Sequence, residues 1–273
     1  MTEPTTLRGR TIVMSGGSRG IGLAIARRAA ADGANLVLLA KTDQPHPTLE
    51  GTVHTAVEQI EAAGGRGLAV VGDVRNDEDI ARAVSAAVET FGGIDIVVNN
   101  ASVLAPVGTL ELTPGRYDLM QDVNVRGAFM LTKACLPHLL ASGDPRVLTL
   151  SPPLNLSPHW LGRFPGYLLA KYGMTLATLG FAAEFPQVAA NTLWPRTLIA
   201  TAAIANTLGE PALVRSRSPR IVADAAHLIL TGARRTGQTL IDDEVLAEAG
   251  AIDLSGYSHL PGATDLQPDV FLD

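Results

Sequence analysis

The amino-acid sequence predicts an α/β fold, a doubly wound parallel sheet flanked by helices. Short apolar runs alternate with helical patterns along the whole chain, as expected for repeated βαβ units. A glycine-rich turn, S-G-G-S-R-G-I-G at residues 15–22, follows the first apolar run and opens the first helix, as in Rossmann-type sheets. Aromatic residues make up only 4% of the chain, so we expect a core of Ala, Val, Leu and Ile.

The patterns predict about seven strands in a single domain over residues 1–273. The predicted strands are 11–14, 35–40, 67–71, 94–99, 146–150, 189–194 and 239–241. The clearest predicted helices are 20–32, 52–63, 76–91, 114–142, 167–185 and 223–232. Proline-containing stretches without periodicity are interpreted as loops: 42–51, 152–166 and 195–219. Residues 251–273 are predicted to be a C-terminal extension, and the sequence does not decide whether this extension is ordered.

Charge and composition exclude several function classes. The net charge of -6 argues against nucleic acid or an anionic membrane as the main partner. Cys135 is the only cysteine, so we expect no intrachain disulfide, no cysteine-rich metal site and a buried apolar role for it. The scattered histidines predict no metal site, and the absence of a leader or a long apolar run predicts a cytoplasmic protein without a membrane span.

The glycine-rich turn is a candidate dinucleotide-binding site. Gly16, Gly20 and Gly22 have a G-x-x-x-G-x-G spacing, and the lack of Cβ atoms lets a pyrophosphate approach the backbone at a helix N-terminus. Ser18 and Ile21 belong to the same turn and are assigned to the cofactor site with it. The alternative, a tight turn without a ligand, does not explain the apolar helix that follows at once.

Two cations favour NADP over NAD. Lys41 stands at the end of the second strand, where NAD-binding proteins often carry an acid, and Arg19 lies inside the turn. Together they could bind a 2′-phosphate. The competing interpretation is that one or both are solvated surface cations.

Tyr167 and Lys171 are candidate catalytic residues. Residues four apart share a helix face, so the Lys171 ammonium could favour the ionised form of the Tyr167 phenol. That would bring a group that titrates near pH ~10 toward the working range of an acid or base. The alternative is coincidence, because Y-x-x-x-K occurs by chance in many helices.

These motifs, in this order, resemble the short-chain dehydrogenase/reductase family over residues 8–250. G-D-V-R at 72–75 resembles its adenine-contacting segment, N-N-A-S at 99–102 its N-N-A-G, and V-N-V-R-G at 123–127 the segment with its structural and catalytic Asn. L-S-P-P-L-N-L, L-W-P-R-T and the closing L-Q-P-D-V-F-L-D further resemble the hydroxysteroid dehydrogenase-like protein 2 group. Members of that group with a sterol-carrier domain continue beyond this length, so we expect no lipid-transfer activity here.

The resemblance implies a role for each matching residue. Tyr167 would exchange a proton with a carbonyl or alcohol while the nicotinamide exchanges a hydride. Lys171 would hold the cofactor ribose and lower the pKa of Tyr167, and Asn124 would anchor a proton-relaying water. Asp73 would contact the adenine, and Asn100 would belong to the cofactor site.

One position departs from the family. Its usual Ser, which binds the substrate carbonyl, would fall on Leu154 by spacing or on Pro152 by alignment of the strand. Proline has no side-chain donor, so the contact must come from Ser151, Asn155, Ser157 or a backbone N–H, and Ser151 is assigned to the site.

The expected function is a carbonyl–alcohol oxidoreductase that uses NADP(H) on a small, lipid-like or apolar substrate. Arg196, in place of the family's usual glycine, could instead favour an anionic group or could point to solvent. The alternative function is a regulatory or scaffold protein that binds the cofactor with little turnover. Small and apolar residues of the predicted helix at 167–185 suggest a homodimer or homotetramer.

Overall fold

The computed structural model describes residues 6–45 and 50–272, and it contains the predicted sheet. The strands are β1 (Thr11–Ser15), β2 (Asn35–Ala40), β3 (Arg66–Val71), β4 (Ile96–Asn99), β5 (Arg146–Leu150), β6 (Ala189–Trp194) and β7 (Thr239–Ile241). The helices are α1 (Gly20–Ala31), α2 (Val53–Ala62), α3 (Asp77–Phe91), α4 (Pro114–Met120), α5 (Gly127–Leu139), α6 (Pro158–Arg163), α7 (Pro165–Glu184), α8 (Ala202–Leu208), α9 (Glu210–Val214), α10 (Arg220–Thr231) and α11 (Asp242–Glu248). Part of the predicted loop 42–51, residues 46–49, lies outside the described residues.

The strand order determines where a ligand can bind. The strands run in the order β3-β2-β1-β4-β5-β6-β7, and all neighbouring pairs are parallel. The direction in which strands are added reverses between β1 and β4. In open parallel sheets a crevice for ligands forms outside the carboxyl ends of the strands at such a reversal. The predicted doubly wound fold is therefore confirmed.

Small aliphatic side chains fill the layers on both faces of the sheet. Because neighbouring residues of a strand point to opposite faces, Met14 packs with Ile25 and Ile229 on one side and Val13 with Leu131 on the other. Cys135 is fully buried in this second layer, and burial raises the pKa of its thiol. Its predicted role as a core side chain agrees with that position.

Helix α3 begins and ends at the residues that its sequence signals indicate. The Asn76 side chain accepts a hydrogen bond from the Glu78 N–H, which caps the first turn. The helix ends at Gly92, whose φ of 87° is a left-handed conformation that glycine adopts without strain. The Asp73 N–H donates to the Asp79 Oδ2 at 2.7 Å, so the start of α3 also holds the loop after β3.

The predicted helix 114–142 consists of three consecutive helical segments. Helices α4 and α5 are joined by a π-helical stretch, Gln121–Arg126, which widens the turn around Asn124. The apolar periodicity does not reveal this stretch, because a single wide turn barely changes the spacing of the buried residues. Short helices α6, α8 and α9 also occupy stretches that we predicted as loops. Within the described residues, no helix has the length and apolarity needed to cross a membrane.

The described part of the C-terminal extension, residues 251–272, packs against the carboxyl-end side of the sheet. Thr197 forms an antiparallel bridge with Pro268, and Arg217 forms one with Ser258. Phe271 has no exposed surface. The extension therefore contributes to the core beside the predicted catalytic residues.

Candidate active site

The glycine-rich turn lies at the carboxyl end of β1 and is packed too closely for side chains. Gly16 has a φ of +74°, and a Cβ there would lie 2.8 Å from the Ala101 Cα. A Cβ on Gly22 would lie 2.5 Å from the Asn100 Nδ2 and 2.7 Å from the Gly16 carbonyl oxygen. Asn100 donates to that same carbonyl oxygen at 2.7 Å. Asn100 thus fixes the turn against the neighbouring strand β4.

The remaining turn residues line the side of the turn that faces solvent. Ser18, Arg19 and Gly20 border a cleft that also includes Gly51, and Ile21 packs against the core. Arg19 donates from Nη2 to the Gly51 carbonyl oxygen at 2.9 Å, while its buried Nε has no partner among the described residues. Burial lowers the pKa of Arg19. A partly desolvated guanidinium at a helix N-terminus is suited to an anion.

Lys41 and Asp73, from the ends of β2 and β3, lie together. The Lys41 Nζ is 3.6 Å from the Asp73 Oδ2, and Arg75 donates to the same oxygen from Nε at 2.9 Å. Burial would raise the pKa of Asp73, but the hydrogen bonds from Arg75 and the charge of Lys41 lower it. Lys41 and Arg19 take different partners, so their convergence on one phosphate stays a prediction.

Asn124 connects the π-helical stretch to the loop after β4. The Val103 N–H donates to the Asn124 Oδ1 at 2.7 Å, and the Asn124 Nδ2 donates to the Val103 carbonyl oxygen at 3.0 Å. Asn124 is fully buried. These two hydrogen bonds position the loop that carries Ser102 beside the predicted catalytic tyrosine.

Lys171 lies in a buried, mostly apolar environment. Its Nζ donates to the Leu150 carbonyl oxygen at 2.9 Å and lies 5.1 Å from the ring centroid of Trp194. Burial lowers the pKa of Lys171 to about 7, and the negative charge of Asp269 opposes that shift. The residue can therefore change its charge near neutral pH.

Tyr167 has the opposite pKa shift from the one expected. Its side chain is 6% exposed, and burial, assisted by the charge of Asp269, raises its pKa. The Ser102 side chain interacts with the Tyr167 hydroxyl and opposes the rise. The groups that shift the pKa of Tyr167 are Asp269 and Ser102, and Lys171 is not one of them. The expected depression of the Tyr167 pKa by Lys171 is therefore absent.

Two of the candidates for the missing serine, Ser151 and Asn155, have hydrogen-bond partners on helix α7. Ser151 is fully buried, and its Oγ accepts a hydrogen bond from Thr175 at 3.0 Å. The backbone of Asn155 exchanges hydrogen bonds with the Tyr172 hydroxyl, 2.9 Å from N and 2.7 Å from O. Ser151 therefore faces helix α7, and its catalytic assignment stays a prediction.

Arg196 is held by acids at the start of α11. Its Nε lies 3.3 Å from the Asp243 Oδ1, and its Nη2 pairs with Glu244. Its backbone N–H donates to the buried Asp242 at 2.8 Å. The guanidinium is already paired within the chain, which speaks against a substrate carboxylate as its partner.

The sequence did not single out Ser102, Asp269 or Phe271. Ser102 stands where the matching family motif has glycine, so that substitution was the available signal. Asp269 and Phe271 reach Tyr167 from a point about one hundred residues further along the chain. No local pattern predicts such a contact.

Comparison with known proteins identifies the family. Residues 10–207 match the model of the short chain dehydrogenase family. The chain belongs to that family. It is accordingly an enzyme of the oxidoreductase class, in a family that binds NAD or NADP and acts on small molecules.

Curated relatives support the narrower resemblance. The chain is 49% identical over 269 residues to hydroxysteroid dehydrogenase-like protein 2 of Danio rerio, covering 98% of this chain and 65% of that protein. The protein of that name from Homo sapiens is 48% identical over 270 residues, covering 98% and 64%. The chain thus spans less than two thirds of the length of these relatives.

Solved structures share the fold closely. A protein from Xanthomonas campestris classed as a dehydrogenase has a TM-score of 0.95 at 55% identity, covering 98% of this chain and 99% of that one. A short chain dehydrogenase from Mycobacterium thermoresistibile has a TM-score of 0.93 at 50% identity, covering 98% and 96%. An NAD(P) dependent gluconate 5-dehydrogenase from Beutenbergia cavernae, with bound NADP, has a TM-score of 0.75 at 27% identity, covering 89% and 99%.

Proposed function

We propose that the chain is an NADP(H)-dependent oxidoreductase that interconverts a carbonyl and a secondary alcohol, with Tyr167 as the acid or base. The observation that carries this proposal is the placement of Tyr167 and Lys171 near the carboxyl ends of the strands that hold the glycine-rich turn. Lys171 bonds to the last residue of β5, and Asn100 follows the last residue of β4. One crevice would thus accept both the cofactor and the substrate.

The turn fits a dinucleotide. Gly16 and Gly22 pack against Asn100 and Ala101 too closely for a Cβ, so the turn has the tight backbone that a pyrophosphate can approach. The turn opens α1, whose N-terminus favours an anion. When bound, the nicotinamide would supply or accept the hydride. Asp73 would bind the adenosine part of the cofactor, and Asn100 would fix the turn. Lys171 would hold the ribose.

Proton transfer would take place at the Tyr167 hydroxyl. Because burial raises its pKa, the phenol keeps its proton at neutral pH and is a donor in the direction of carbonyl reduction. The Ser102 side chain interacts with the same hydroxyl and would stabilise the phenolate after donation.

The preference for NADP rests on charge. Arg19, with a buried Nε that lacks a partner among the described residues, and Lys41, 3.6 Å from Asp73, are the cations near the turn and the end of β2. A 2′-phosphate would give both a stronger counter-ion than they now have. NADH would leave Arg19 unsatisfied.

The surroundings of Tyr167 favour an apolar substrate. The cluster that includes Tyr167 consists of Trp160, Leu168, Trp194 and other buried apolar side chains. The charged side chain of Arg196 is engaged elsewhere. A substrate with a carbonyl or hydroxyl on an apolar frame matches this environment.

Oxidation of NADPH tests the proposed function. Incubation of the protein with ketones, aldehydes and acyl-CoA thioesters should show consumption of NADPH with at least one carbonyl class, followed by absorbance at 340 nm. Consumption should be slower with NADH. Tight binding of NADPH without turnover of any carbonyl class would contradict the proposal.

A binding protein with little turnover is the second candidate. The buried position of Ser151, turned toward Thr175, is the observation that favours it, because the usual carbonyl donor is missing. Asn124, Tyr167 and Lys171 have no need to be present together in a binding protein. The comparison of wild type with Tyr167→Phe separates the two candidates.

A further inference from the structure

A segment near the end of the chain closes over the predicted catalytic residues. This tail segment, residues 267–272, is attached through its backbone to the loop after β6. The Leu198 N–H donates to the Gln267 carbonyl oxygen at 2.9 Å, and the Asp269 N–H donates to the Arg196 carbonyl oxygen at 3.0 Å. The Trp194 Nε1 donates to the Val270 carbonyl oxygen at 3.1 Å.

The ring of Phe271 fills an aromatic box. We use this name for the side chains of Trp160, Tyr167, Tyr172 and Trp194. The Phe271 ring centroid lies 5.7 Å from that of Trp160 and 5.8 Å from that of Tyr167, with an interplanar angle of 29° to the tyrosine. It lies 5.5 Å from the Tyr172 ring and 6.4 Å from the Trp194 ring. The box is therefore complementary to one flat apolar ring.

Phe271 blocks the space that a substrate needs. A carbonyl that receives a proton from Tyr167 must come within hydrogen-bond distance of its hydroxyl. Tyr167 is only 6% exposed, and Phe271, with no exposed surface, is stacked on its ring. A ring attached to the carbonyl carbon would therefore reach the volume that the Phe271 ring occupies.

The backbone at Phe271 is in an unfavourable conformation. Its φ is +73°, and it is the one non-glycine residue with a positive φ in the described ranges 6–45 and 50–272. A bulky residue is held in this region only when the surrounding contacts compensate for the strain. Displacement by another apolar ring would relieve the strain while keeping the box filled.

We propose that the aromatic box is the subsite for a ring-shaped apolar group of the substrate, and that Phe271 leaves the box when that group enters. The ligand class is a ketone or secondary alcohol that bears an aromatic or alicyclic ring next to the reacting carbon. This inference rests on the proposed function for the reacting carbon, but occupation of the box by a ring does not require hydride transfer.

Tryptophan fluorescence tests the box directly, because both tryptophans of the chain belong to it. Cyclohexyl methyl ketone and butanone serve as the ring-bearing and the small probe, with NADP present. In wild type the ring ketone should give a saturable change. In Phe271→Ala it should bind about tenfold more tightly, since it no longer competes with an internal ring. Butanone affinity should be equal in both proteins.

Two control variants keep the test decisive. Leu260→Ala removes a half-exposed apolar residue from the same extension and should bind both ketones as wild type does. Phe271→Leu retains most of the apolar volume and should give an intermediate affinity even if Phe271→Ala does not fold. Equal affinities of wild type and Phe271→Leu for the ring ketone would show that Phe271 is a fixed wall and overturn the inference.

Turnover separates this inference from the proposed function. If NADPH is consumed, KM for the ring ketone should fall in Phe271→Ala while KM for butanone stays the same. A ring ketone that neither is reduced nor inhibits butanone reduction in Phe271→Ala would overturn the assignment of the box. If no carbonyl is reduced by any variant, the proposed function fails, whereas the binding data still decide the occupancy of the box.

Discussion

At the scale of single residues, the charges of Lys171 and Asp269 act on each other inside the predicted site. Desolvation lowers the pKa of Lys171 to about 7 and raises that of Asp269 to about 7, while the attraction between their charges opposes both shifts. Part of the surface of Asp269 is exposed to solvent, whereas its carboxyl group is buried. The protonation of Lys171 thus depends on a residue from the tail segment.

Asp269→Asn should move the alkaline limit of activity to lower pH. The amide removes the attraction for the protonated Lys171, so the pKa of Lys171 should fall further, by about one unit. If the protonated lysine is the active form, the pH profile of kcat/KM shifts in the same direction. Asp253→Asn, on the exposed part of the extension, is the matched control. An unchanged profile would show that Asp269 does not influence Lys171.

The residue scale also shows which site residues can be predicted. Gly16 and Gly22 lie in the tight turn after β1, and Asn100 bonds to that turn. The binding roles of these residues and of Lys171 on α7 stay predictions. The Ser151 side chain is turned toward Thr175 of α7, and its catalytic role stays a prediction. A motif alone does not determine that orientation.

At the scale of elements, the turn between β1 and α1 tolerates no added Cβ at its final glycine. Gly22→Ala would place a methyl group 2.5 Å from the Asn100 Nδ2 and 2.7 Å from a carbonyl oxygen, so the turn must shift. We expect loss of NADPH affinity of about tenfold or more, measured by calorimetry. Gly180→Ala, a helical glycine with no atom within 4 Å of the added methyl group, is the control. Equal affinities of both variants would contradict the proposed cofactor cradle.

The end of β2 should determine the choice of cofactor. Lys41→Asp replaces a cation with an acid that can accept a ribose hydroxyl, so preference should move toward NADH by about 1–3 kcal/mol. The quantity to measure is the ratio of the two dissociation constants. Lys133→Asp makes the same charge change at an exposed position of α5 and should not change the ratio of the two dissociation constants. Equal binding of NADPH and NADH by wild type would remove the basis for NADP.

Elements are predictable where one periodicity dominates. The predicted strands agree with β1 to β7 to within two residues at each end, because buried parallel strands are continuous apolar runs bounded by glycine or polar residues. The π-helical stretch at Gln121–Arg126 was not predicted, since its distinguishing feature is a hydrogen-bond pattern. Helices α8 and α9 were not predicted because they are shorter than the window that reveals a helical period.

At the scale of the whole molecule, helix α7 has an apolar face that the described chain does not cover. Leu169 and Leu176, two turns apart, are 55% and 56% exposed, and Phe129 of α5 is 43% exposed. A second copy of the chain could cover this face in a homodimer or homotetramer. The oligomeric state stays a prediction, as does the cytoplasmic location.

Leu176→Asp should weaken that assembly. A carboxylate at a closely packed apolar interface would lose its hydration, so light scattering should show a mass that falls toward the 28.5 kDa of one chain. Leu260→Asp, also apolar and half-exposed but on the extension, should leave the mass unchanged. A wild-type mass of one chain at micromolar concentration would contradict the expected oligomer.

The whole fold brings together residues that no local pattern links. The sequence did not predict how the extension packs. Its contact with Tyr167 depends on hydrogen bonds between the extension and the loop after β6. Those contacts are long-range in sequence, and their side chains show no periodicity. The individual strands and the cofactor turn were predictable for the opposite reason, because each shows its pattern within one short stretch of the chain.

The central claim is that the Tyr167 hydroxyl transfers the proton in an NADPH-dependent reduction. The most direct measurement is single-turnover NADPH oxidation by wild type and Tyr167→Phe, with NADPH affinity determined in parallel. We expect Tyr167→Phe to lose at least ~10² in rate while it binds NADPH as wild type does, because only the proton donor is removed. Equal rates for the two proteins, at equal NADPH affinity, would contradict the claim.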